Sequence, residues 1–193
     1  LSLELLDSDN DLTNDMVRDI EDMNAILDQF LAFIRDGRDE PMEACDLNEL
    51  ISSVVAPYIQ QGRPIRLCLE EMPSLELRRV SIKRMLVNLL ENALRYGEQG
   101  IEVAASVVRD EHSAHVAISV LDRGPGLDPE DLQRIFNPFY RGDQARGGQG
   151  AGLGLAIVQR IAAQHGGKVE LQNRAGGGLD ATVYLPIAVH ELH

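Results

Sequence analysis

Asn88-Leu89-Leu90-Glu91-Asn92-Ala93-Leu94-Arg95-Tyr96 is the stretch from which this chain is best read. Three shorter motifs follow it in order: Asp122-Arg123-Gly124-Pro125-Gly126, Phe136-Asn137-Pro138-Phe139 and Gly150-Ala151-Gly152-Leu153-Gly154-Leu155. Each alone is a weak signal, and the four together between positions 88 and 155 are a strong one. Apolar residues at Ile82, Met85, Leu86, Leu89, Leu90 and Ala93 recur at intervals of three and four, which predicts a helix from about Ser81 to Tyr96. On it Asn88 and Asn92, four apart, share a face that Arg95 nearly joins.

Outward from this helix, Ile101 to Val108 and His115 to Asp122 alternate like neighbouring strands. The segment from Leu127 to Gln149, with a small helix candidate from Asp128 to Ile135, has the glycine and charge content of a lid. Leu153 to Gln164 reads as a helix ended by Gly166-Gly167, and Lys168 to Asn173 with Ala181 to Pro186 as a closing hairpin. Upstream, Met42 to Cys45 is a short strand candidate. Asp46, with Glu49 three residues on, caps a helix running through Leu50 to Tyr58. Further strands are expected at Pro64 to Glu70 and Leu75 to Arg78. Helices and strands are mixed, with several antiparallel pairs, so the class is α+β.

The first 36 residues differ. Met16, Ile20, Met23, Leu27, Phe30 and Ile34 are spaced 4, 3, 4, 3 and 4, a heptad seam. With Leu1 to Leu6 as the tail of a preceding antiparallel helix, the unit reads as a helical hairpin. Two copies pairing into a four-helix bundle would bury its seam; packing on its own domain is the alternative. Residues 37–45 form the linker and first short strand, 46–187 the main domain and 188–193 a tail. The chain opens on Leu1, inside an amphipathic stretch, like a piece of a longer protein.

Lys and Arg number 18 against 31 Asp and Glu, a formal charge of -13. Such a surface repels nucleic acid and anionic lipid, so neither is an expected partner. Cys45 and Cys68 are too separated for a redox or metal pair and fit a reduced cytosolic setting, each as a small buried hydrophobe. No apolar run reaches the roughly 18 residues of a membrane span.

The motifs carry a coherent chemistry. Magnesium takes oxygen ligands and keeps several waters, so one amide oxygen plus phosphate oxygens suits it, with Asn92 as ligand and Asn88 assisting. Paired asparagines on a helix are, taken alone, more often solvated or capping groups. A carboxylate at Asp122, with glycines beside it, can accept from the exocyclic amine of adenine, although Asp-Gly is also an ordinary turn. Gly150, Gly152 and Gly154 open a helix whose free amides attract phosphate. No strand leads directly into them and no Gly-Lys-Ser or Gly-Lys-Thr follows, which excludes the dinucleotide and P-loop readings.

These motifs resemble the N, G1, F and G2 boxes of the sensor histidine kinases, within the ATPase superfamily shared with gyrase, Hsp90 and MutL. Gly176-Gly177-Gly178 resembles their last glycine box. Ser81-Ile82-Lys83-Arg84 and Pro138-Phe139-Tyr140-Arg141-Gly142-Asp143 are similar to the EnvZ-type osmosensors. The resemblance implies a two-layer α/β sandwich, a mixed sheet with helices on one face, holding ATP and magnesium. It implies Asn92 as the metal ligand, Asn88 and Arg95 near the phosphates, Tyr96 on the base and Asp122 on the adenine amine. Gly124 and Gly126 would support the base, with Gly150, Gly152, Leu153 and Gly154 beneath the lid. Phe136 and Phe139 would anchor that lid, and Arg141 and Arg146 would reach the phosphates.

Hydrolysing relatives place a glutamate where Asn88 stands, so the amide favours phosphoryl transfer to a side chain, with Glu91 as the group polarising an incoming histidine. Expected partners are ATP, a response regulator of the OmpR-like type and, in the full-length protein, a second copy. The expected location is the cytosolic side of an inner-membrane sensor. The hairpin holds no acceptor histidine: the five histidines are His112, His115, His165, His190 and His193. The chain is therefore expected to bind ATP without completing its own phosphorylation. The alternatives are an ATP-sensing, anti-sigma-like interaction module and an ATP hydrolase of the gyrase kind.

Overall fold

The structure, a computed structural model, describes residues 40–97, 100–109, 113–142 and 151–187, together with Met16, Val17, Ile20, Met23, Asn24, Leu27 and Phe30. Strand β1 (Glu43–Cys45) leads into α1 (Leu47–Gln60), β2 (Ile65–Leu69) and β3 (Leu75–Leu77). Then come α2 (Arg79–Tyr96), β4 (Ile101–Arg109), β5 (Ala114–Leu121) and the short α3 (Pro129–Arg134). The chain closes with α4 (Gly154–Gln164), β6 (Lys168–Asn173) and β7 (Leu179–Pro186).

The main sheet has the order β2-β4-β5-β7-β6. Its β2–β4 pair is parallel and the others are antiparallel, so the sheet is mixed. Strands β1 and β3 form a separate antiparallel pair. Period-two alternation sorts the two faces: Val103, Ala105, Val116, Ile118, Val120, Val183 and Leu185 join the apolar faces of α1, α2 and α4 in one core. The opposite face is polar at its centre, where Ser119 and Thr182 sit opposite each other in register and share a 2.6 Å hydroxyl bond. The fold is the expected α+β sandwich with helices on one face.

Local chemistry explains the helices. The carboxylate of Asp46 accepts from the Glu49 N–H at 3.0 Å and starts α1, whose Leu47, Leu50, Ile51, Val54 and Val55 make one buried stripe. In α2, Ile82, Met85, Leu86, Leu89, Leu90 and Ala93 are all buried. Each large side chain there contributes about 1.5–3 kcal/mol of transfer free energy, which holds the helix to the sheet while its Asn88–Asn92 face stays accessible.

Three expectations need correcting. Cys68 is exposed, because the alternation of edge strand β2 turns Ile65, Leu67 and Leu69 inward and leaves Cys68 beside Arg66 on the other face. Cys45 is buried as expected, and burial pushes its thiol pKa up. Phe139 does not anchor the lid in its own domain: it is 57% exposed, holds a φ of 65°, and stacks obliquely on Phe30 with ring centroids 6.2 Å apart. Leu153 is fully buried in the core, so it fastens the start of α4 instead of lining a site. Met16, Ile20, Met23, Leu27 and Phe30 are helical and exposed, whereas Leu1 to Leu6, Ile34 and the end of the lid segment (143–149) lie outside the described residues. Among the described residues no helix is long and apolar enough to cross a membrane.

Candidate active site

The C-terminal half of α2 forms one wall of a pocket. Asn88, Glu91, Asn92, Arg95 and Tyr96 line it, facing Asp122 and Gly126 after β5, Tyr140 and Arg141 after α3, and Gly152 and Gly154 at the start of α4. Most of the residues singled out from sequence therefore meet in one place. Gly124 and Leu153 stand behind the wall, and Gly150 and Arg146 lie outside the described residues.

Asp122 is buried at the floor, and one of its oxygens is already committed. Oδ1 accepts from the Gly124 N–H at 2.8 Å and from the Leu179 N–H at 3.1 Å. Among the described residues no donor takes Oδ2, which leaves a carboxylate acceptor for a ligand amine. Its main chain is held as firmly, the N–H donating to Leu179 O at 3.0 Å and the carbonyl accepting from Arg174 Nη1 at 2.7 Å. Glycine is obligatory around it. A Cβ on Gly124 would lie 2.2 Å from Tyr96 O, and one on Gly178, at a φ of 104°, 2.1 Å from Asp122 O.

At the other end of the pocket, Asn88 Nδ2 donates to Arg84 O at 2.8 Å, which leaves Oδ1 for the site. A Cβ on Gly154 would sit 3.2 Å from that Oδ1 and 3.6 Å from the Asn92 carboxamide, so both amides crowd the first glycine of α4. This donor set fits a magnesium ion completed by phosphate oxygens and water. Among the described residues no cluster of three His, Cys, Asp or Glu side chains offers a cage. Gly152, at a φ of 68°, carries the close approach of α4 to the segment after α3, where a Cβ would lie 2.7 Å from Tyr140 O. Glu91 is exposed at the rim; burial, and after it the Glu91 charge, pushes the Tyr58 phenol pKa up.

Several contributors escaped the motif reading. Tyr140 donates to Asp131 Oδ1 at 2.6 Å, which ties the base of the lid to α3 and raises the Tyr140 pKa. Asn173 clamps Leu127 from both sides, accepting its N–H at 2.8 Å and donating to its carbonyl at 2.6 Å. Arg174 supports Asp122 as described. These act across 9 to 52 positions of sequence, and the local hint for Asn173 and Arg174 was their closeness to the glycines 176–178.

Residues 78–189, more than half of the chain, match the sequence profile described as histidine kinase-, DNA gyrase B- and HSP90-like ATPase. The chain belongs to that ATPase family. Similar to it is the sensor histidine kinase GtrS of Pseudomonas aeruginosa, 36% identical over 189 residues that make up 96% of this chain and 38% of GtrS. Another relative is the sensor histidine kinase CpxA of Escherichia coli K12, 43% identical over 55% of this chain and 23% of CpxA. The chain thus spans well under half the length of these curated relatives. Among solved structures, the histidine kinase domain of the E. coli osmosensor EnvZ is 38% identical with a TM-score of 0.62, over 79% of this chain and 93% of that domain. Full-length ShkA, solved in complex with AMPPNP, is 27% identical with a TM-score of 0.74, over 90% of this chain and 38% of ShkA. The ATPase profile begins at Arg78, the N-cap of α2, and takes in all four motifs.

Proposed function

We propose that this chain is the ATP-binding, phosphoryl-donating part of a protein-histidine kinase of a two-component system. The observation that carries the reading is the pairing of a half-committed Asp122 at the floor with Asn88 and Asn92 against Gly154 at the mouth of α4. Oδ2 of Asp122 accepts from the adenine amine, Tyr96 lies along the base, and the start of α4 takes the phosphates with Arg95 and Arg141. Asn92, assisted by Asn88, holds magnesium, which when bound neutralises charge on the β- and γ-phosphates.

In the transfer, a histidine ring nitrogen bonds to the γ-phosphorus as the bond to the bridging oxygen breaks, and ADP leaves. The amide at 88 offers no base to activate water, which favours transfer over hydrolysis. Glu91, exposed at the rim, polarises the incoming imidazole. The pocket's work is positioning and charge neutralisation.

Residues 1–36 contain no histidine, so the acceptor comes from another segment or chain. The exposed seam through Met16, Ile20, Met23, Leu27 and Phe30 is the surface on which two copies pair, as the dimerisation part of the kinase. As a sensor kinase part, the chain would belong to a membrane-bound parent, on its cytosolic side. The onward acceptor of this reading is a response regulator aspartate, of the OmpR-like type if the likeness to the EnvZ domain extends to its partner. The test mixes the chain with γ-labelled ATP, magnesium and a helical fragment bearing the acceptor histidine. Acid-labile label on the fragment is expected; release of inorganic phosphate without label on the fragment would overturn the kinase reading.

A further inference from the structure

Helix α2 begins without a cap of its own. Its N-cap residue is Arg78, whose side chain makes no capping bond, and its first turn carries no acid. The free N–H groups of a helix start need acceptors, and a carboxylate suits both them and the helix dipole. Here the carboxylate arrives from the linker. Glu40 Oε1 accepts from the Val80 N–H, while Oε2 accepts from the Ser81 N–H at 3.0 Å and the Ser81 hydroxyl at 2.7 Å.

The same residue reaches α4 through Arg78. Arg78 Nε donates to the Glu40 carbonyl at 3.0 Å, and Nη1 donates to the carbonyl of Gln164, the last residue of α4, at 3.2 Å. The Arg78 N–H donates to His165 Nε2 at 3.1 Å, and His165 Nδ1 in turn donates to Ile161 O at 2.8 Å. The start of α2 and the end of α4 are thus closed into one clasp around Glu40. The two helices run antiparallel, and their opposite ends meet at Gly154 against Asn88 and Asn92. From Ser81 to Asn88 is about 10 Å along the helix axis, at 1.5 Å per residue, so a shift of the clasp is carried along a stiff, well-packed rod into the pocket wall.

We propose that Glu40, which lies outside the matched ATPase residues 78–189, is a positioning residue for the nucleotide site. By capping α2 in trans and gripping α4 through Arg78, it makes the spacing between Asn88, Asn92 and Gly154 depend on how the linker is held. Only residues 31–39 separate it in sequence from Phe30 of the heptad helix. The inference rests on the nucleotide reading of the pocket.

The test is calorimetric titration of the whole chain with magnesium and AMPPNP, paired with thermal melting, for the unmodified chain, Glu40→Ala, Glu40→Gln and Glu40→Ala/Arg78→Asp. Glu40→Ala weakens nucleotide binding by about fivefold or more, the lower end of coupling between linked sites. Glu40→Gln, whose amide oxygen still accepts, recovers part of the affinity. The double variant gives α2 a local aspartate cap, so it regains melting temperature over Glu40→Ala yet stays weak, because nothing ties linker to helix. Affinity that returns along with stability in the double variant, or affinity unchanged in Glu40→Ala, would show a plain cap and overturn the proposal. Absence of nucleotide binding by the unmodified chain would overturn the nucleotide reading itself, and the clasp's role with it.

Discussion

Replacing Asp122 by asparagine separates its structural bonds from its ligand bond. The carboxylate spends Oδ1 on the Gly124 and Leu179 N–H groups, and asparagine keeps an oxygen there. Asp122→Ala instead leaves two buried N–H groups unpaired, at about 1–3 kcal/mol each. That sum of roughly 2–6 kcal/mol is a large share of a domain's typical stability of about 5–15 kcal/mol. In Asp122→Asn the change falls on the pocket side, where an amide donor replaces the Oδ2 acceptor. The lost bond is one to a charged acceptor, worth about 1.5–3 kcal/mol, so the Kd for AMPPNP rises roughly 10- to 150-fold. An inosine triphosphate, which presents an oxygen where adenine has its amine, loses little or gains. The assay is calorimetry with both nucleotides beside a thermal melt. Adenine-nucleotide binding within twofold of the unmodified chain, with the fold intact, would refute this account of base recognition.

Two further outcomes are expected. Asn92→Ala abolishes the strengthening of nucleotide binding by magnesium while leaving the fold intact; calorimetry with and without the metal checks this, and an unchanged magnesium effect would remove Asn92 as ligand. His165 is neutral in the fold, donating through Nδ1 and accepting at Nε2, and burial, only partly offset by its bond to Ile161, pushes its pKa down. The unfolded chain takes the proton more readily, so the bond's contribution is full above the unfolded value of about 6.5 and is lost as pH falls from there towards the lowered folded value. The melting-temperature gap between the unmodified chain and His165→Gln should narrow between pH 7.5 and 5, and a constant gap would contradict it.

Much of the fold was legible because its signals are local. Helical spacing in Ile82 to Ala93, the Asp46–Glu49 cap and the alternation in Ile101 to Val108 each depend on residues a few positions apart, and each became the element it predicted. Alternation even held the answer for Cys68, which shares a face with Arg66 and Glu70. Its place within the glycine motif made Leu153 look like a site residue, while its depth in the core depends on α4 docking against the sheet.

The sequence by itself determined which groups were available: two amides on one helical face, a carboxylate at a strand end, and glycines where side chains would collide. Only the tertiary structure decided which atoms of those groups remain free. Asp122 has one oxygen left because Leu179, 57 positions away, takes the other, and Asn88 shows its oxygen to the site because Arg84 holds its nitrogen. Glu40 caps a helix 40 positions on, which no local pattern encodes. Hydrogen bonds that cross the sheet or join separate helices depend on packing, and packing is set by the whole core at once.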